Sequence, residues 1–71
     1  MSLYDYRQAV TLWRQDPSFY ALIMAAMYRA DSDNAQRLAE AFPAVWAEVN
    51  ARYNAPGGML PGERDEGGTD A

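Results

Sequence analysis

The chain has 71 residues, a net charge of −4, nearly half its residues apolar, and no Cys, His or Lys. That composition excludes disulfides, thiolate and imidazole metal sites, and the usual bases that activate a hydroxyl nucleophile. It allows one small domain, whose limited core calls for association with further copies as its staple.

The first helix is expected over about residues 3–15. Ser2 followed by Asp5 has the spacing of a capping box, and Leu3, Tyr6, Val10 and Trp13 recur at three and four to form one apolar stripe. Asp16-Pro17 both stops this helix and restarts the chain, with Asp as cap and Pro at the first helical position. The second helix is expected over about 17–30. It is apolar on two faces: Phe19, Leu22, Ile23, Ala26, Met27 and Ala30 on one, and Tyr20, Met24 and Tyr28 on the other. A helix apolar on both sides must be covered on both. The first and third helices can cover one side well, so the other invites a second copy of the chain.

Asp33 and Gln36 repeat the capping spacing and predict a third helix over about 34–41. Leu38, Phe42, Val45, Val49 and Tyr53 continue the apolar pattern, but Pro43 interrupts it and opens a fourth helix over 43–53. Helical spacing marks Trp13, Phe42 and Trp46 as core. Asn54-Ala55-Pro56-Gly57-Gly58 ends the helical part. The expected fold is therefore an all-α bundle of three to four helices in a homo-oligomer. Residues 1–55 form the helical domain, and 56–71 form a disordered, Gly-rich acidic tail. Residues 1–55 carry five arginines against six carboxylates and 56–71 carry one against four, so the acidity belongs to the tail.

This balance argues against nucleic acid as a partner, since the folded part has no basic excess to release counterions. Membrane insertion is not expected either. The longest apolar run, residues 19–28, has ten residues, well short of the ~20 a spanning helix needs. MSLYDYRQ lacks the charged-then-apolar order of a signal peptide, so a cytoplasmic location is expected.

Catalysis finds little support. Asp31-x-Asp33-Asn34 begins like a calcium loop, but Ala35, Gln36 and Phe42 stand where such a loop needs an oxygen ligand, a glycine and an acid. Glu40 and Glu48 have no convergent partner, and Ser2, Ser18 and Ser32 sit where helices begin and read as caps. No catalytic residue, metal or cofactor is expected. What remains is a set of tyrosines and arginines: Tyr4, Arg7, Tyr28, Arg29, Arg52 and Tyr53. Aromatic faces stack purines and an Arg fork grips phosphate oxygens, so these six are the candidate ligand-binding residues at a subunit boundary. The same residue types also build protein interfaces.

The stretch FYALIMAAMYRADSDNAQRLAEAFPAVWAEVNARYNAPGG, residues 19–58 and about half of the chain, resembles short all-helical proteins of phages and prophages. Proteins of that kind act against host defences, some by inhibiting a defence protein and others by sequestering a nucleotide signal in an oligomer. The resemblance implies binding without turnover and supplies no catalytic residue. Two functions are thus expected as rivals: an oligomer that sequesters a small nucleotide-like signal, and an inhibitor or adaptor that docks on a host protein through Tyr20, Met24 and Tyr28.

Overall fold

A computed structural model describes residues 1–63. The described chain is all helical: α1 (Leu3–Arg14), α2 (Phe19–Arg29), α3 (Ser32–Ala41), α4 (Pro43–Tyr53) and a short 3-10 turn (Pro56–Gly58). Residues 64–71, half of the expected tail, lie outside the described residues.

Local chemistry sets each boundary. Ser2 caps α1 as expected, its Oγ accepting the Asp5 amide at 3.1 Å. At the other end the Gln15 amide donates to the Leu12 and Trp13 carbonyls. Asp16 follows in the left-handed region with φ 60°, a conformation that Asp tolerates better than most residues with a Cβ. The second helix therefore does not start at Pro17. Ser18 is the cap instead, with its Oγ accepting the Ala21 amide at 3.0 Å, and α2 begins at Phe19. The third helix also starts earlier than expected. Asp31, in extended backbone, accepts the Asn34 amide at 2.9 Å. That places Ser32 and Asp33 inside the first turn, where Asp33 faces the positive end of the helix and Ser32 caps nothing.

Phe42 is shared. Its amide donates to the Leu38 carbonyl and closes α3, while its own carbonyl accepts the Trp46 amide and opens α4. Pro43 sits at the first position of α4, where no backbone N–H is needed.

Aromatic pairs at both ends show how the helices run. Phe19 meets Phe42 edge to face at 6.0 Å where α2 and α4 begin. Tyr28 meets Tyr53 at 6.2 Å where both end. The two helices therefore run the same way, and α3 returns between them and packs on both. Their shared core is small. Among the described residues only Met27 on α2 and Val49 on α4 are buried, at 5% and 8% exposure. Phe42 and Trp46 are half-buried around them.

The first helix behaves differently from the expectation. It packs on none of the other elements, so the bundle is α2, α3 and α4 alone. Trp13, read as core from its spacing, is 69% exposed, and its stripe mates Tyr6 and Leu3 are 66% and 61% exposed. Helical periodicity identifies a side of a helix that wants cover. It does not say that the same chain provides the cover.

Candidate functional site

Three concave regions flank α2. At the corner of α2 and α3, a cleft of about 400 Å³ is lined by Ala26, Arg29, Ala30, Asn34, Arg37 and Leu38. The alanines, Ala26 on α2 and Ala30 just past its end, leave the hollow, and the two arginines edge it. Between α2 and α4, a groove of about 400 Å³ is lined by Tyr20, Met24, Ala44, Val45 and Glu48. A third, wide cleft of about 730 Å³ lies between α1 and the end of α2, bounded by Gln8, Thr11, Leu12 and Arg29.

The six sequence-derived candidates do not converge on one of these. Tyr28 and Tyr53 come together as a tilted ring pair, with 50° between their planes. Tyr4 and Arg7 lie on α1, apart from the bundle. Arg29 lies at the end of α2 and borders two clefts. Arg52 makes four hydrogen bonds within the chain. Its Nε donates to Glu48 Oε2 at 2.9 Å, its Nη1 to the Gly58 carbonyl at 2.8 Å and to Glu63 Oε1 at 2.7 Å, and its Nη2 to Glu63 Oε2 at 2.6 Å. This two-pronged grip, with a further bond from the Leu60 amide, holds the Glu63 carboxyl down at about 2 against an ordinary 4.5. The two carboxylates in turn raise the Arg52 guanidinium above its ordinary value. An incoming anion would compete with Glu63 for Arg52.

The same grip revises the tail. Residues 56–63, assigned by composition to a disordered segment, are held against α4 by Arg52 through a turn with Gly57 and Gly58 at positive φ. Composition could not show that a cation on the last helix had a carboxylate waiting eleven residues downstream.

Arg37 is the residue that sequence reasoning left out of the site. Its Nη1 donates to Asn34 Oδ1 at 3.2 Å, which aims the side chain along the rim of the α2–α3 cleft. Among the described residues, neither Arg29 nor Arg37 forms a salt bridge. The signal was the Ala26–Ala30 spacing, which opens space on the side of α2 facing α3.

No cluster of acids able to hold a metal ion occurs among the described residues, and no described helix is long and apolar enough to cross a membrane. Compared with known protein families, characterised proteins and solved structures, the chain matches none.

Proposed function

We propose that this chain is a non-enzymatic binding protein whose working form is a self-assembled homo-oligomer. The observation that carries the reading is the uncovered stripe of Leu3, Tyr6 and Trp13 on α1, beside a bundle that buries only Met27 and Val49. Large aromatic side chains dominate interface energetics when desolvated, and a bundle this thin gains most of its stability by adding buried area from another copy.

The test is the concentration dependence of thermal unfolding, paired with the mass of the particle in solution. Binding to the folded state alone raises the midpoint with concentration. The expected result is a rising midpoint and a mass above one chain, both abolished by Trp13→Ala. A flat midpoint with a single-chain mass would end the reading.

A second reading concerns the ligand. Arg29 and Arg37, with Asn34 between them, edge a cleft of a size that suits a small organic anion. The tilted pair Tyr28–Tyr53 lies on the α4 side of α2, so a nucleotide-like ligand would need an aromatic group from another copy. The anti-defence setting implied by the phage-type resemblance belongs with this reading. Calorimetric titration with cyclic and ADP-ribose-type nucleotides tests it, with heat expected for the parent chain and none for the Arg29→Ala, Arg37→Ala double variant. Heat that persists in the double variant, or none in the parent, rules the cleft out.

A further inference from the structure

We propose that α1 is exchanged between two copies, with its outward stripe seated in the groove between α2 and α4 of the partner, and the partner's stripe seated reciprocally. This rests on the reading of the chain as self-associating and specifies the surface that does it.

The argument begins with the direction of the stripe. Successive helical residues turn by about 100°. Gln8, Thr11 and Leu12 therefore share one side of α1, and that side borders the cleft with Arg29 of the same chain. Leu3, Tyr6, Val10 and Trp13 fall on the opposite side; Leu3, Tyr6 and Trp13 are exposed there, with Val10 half-buried among them. Asp16, at φ 60°, lies in the short connection that joins α1 to the bundle. The outer side of this helix carries Leu3, Tyr6 and Trp13 exposed, and its own bundle does not cover them.

The α2–α4 groove matches that stripe in apolar character and charge. From Leu3 to Trp13 the stripe extends about 15 Å at 1.5 Å per residue. The groove is lined over about one helical turn, Tyr20 to Met24 on α2 and Ala44 to Glu48 on α4, and receives part of that stripe. Its floor of Met24, Ala44 and Val45 is apolar, and Ala44 lets a neighbouring helix approach closely. Arg7 and Arg14 flank the stripe on its Leu3 side, and neither forms a salt bridge among the described residues. Glu48 edges the groove. The asymmetry is general: α1 carries two arginines against one carboxylate, whereas residues 15–63 carry three against six. A helix that is cationic on an otherwise acidic chain fits another copy better than a partner of the same sign. Reciprocal seating also closes the assembly at two copies, because each supplies one stripe and one groove.

Charge exchange tests the proposal. One variant carries Arg7→Glu and Arg14→Glu, and the other carries Glu48→Arg. Alone, each places like charges across both contacts of its homodimer. Mixed, they restore opposite charges at both contacts of a heterodimer. Native mass spectrometry is expected to show single chains for each variant and a one-to-one heterodimer for the mixture. Glu48→Arg also disturbs Arg52, so a second pair uses the absence of native cysteine: Val10→Cys chains mixed with Ala44→Cys chains should cross-link between copies on oxidation. A parent that assembles and depends on Trp13, while the mixture and the cross-link both fail, overturns the exchange and leaves self-association standing. A parent that stays a single chain at every concentration overturns both and points to a foreign protein as the occupant of α1.

Discussion

Arg52 donates to two carboxylates and a carbonyl at once, and its fork is the reason residues 56–63 lie against α4. Lysine keeps the charge but not the planar pair of donors. Arg52→Lys and Arg52→Ala should therefore both release the turn, seen as faster amide exchange at Leu60. The Glu63 partner gives a pH dependence of definite sign. Its carboxyl sits at about 2 in the folded chain against 4.5 ordinarily, so the clamp contributes fully above 4.5 and is lost as pH falls through about 2. The Leu60 amide shift should titrate with that low midpoint in the parent and lose the transition in Arg52→Ala. Because the pair is partly exposed, added salt should weaken it. The serines allow a cleaner comparison at the same scale. Ser18→Ala removes a bond to the Ala21 amide and should cost about 1 kcal/mol in urea unfolding. Ser32→Ala, inside α3 with no such bond, should stay within about 0.5 kcal/mol of the parent.

Among the elements, α4 bears most of the packing, meeting α2, α3 and the 3-10 turn, and Met27 is the buried point that α2 brings to it. Met27→Ala should cost about 2–5 kcal/mol, a large share of the roughly 4–11 kcal/mol that a chain of this length commands. Loss of the cooperative thermal transition would be the readout. The helices themselves were legible in the sequence, because periodicity and proline act locally: the expected start at Pro43 and end at Tyr53 match α4. The N-termini of α2 and α3 were legible only in part, Ser18 having read correctly as a cap. Asp16-Pro17 and Asp33-Gln36 carried good signals, but Ser18 and Asp31 stood beside them with equal capping power, and the extended backbone at each decided the matter. The candidate site was less legible still. Tyr28 and Tyr53 pair because α2 and α4 run in parallel, and Arg52 is taken by Glu63. Neither arrangement leaves a trace in local spacing.

The whole molecule is a three-helix bundle with a fourth helix held apart from it. Its stability should follow protein concentration rather than sit at one value, and Trp13→Ala should lower the midpoint at high concentration while leaving it unchanged at high dilution. That pattern separates loss of an interface from loss of a core contact, since Met27→Ala should depress the midpoint at every concentration.

The junction at Phe42 has a consequence for motion. One residue both ends α3 and begins α4, with backbone dihedrals of −133° and 66° and hydrogen bonds to each helix. Neighbouring helices joined by a loop can fray at their facing ends independently. Here the last turn of α3 and the first of α4 have a common gatekeeper, so thermal opening of one withdraws the anchor of the other. The Phe42 and Trp46 amides should therefore lose protection together, with one opening free energy, and the two helices should behave as a single bent rod.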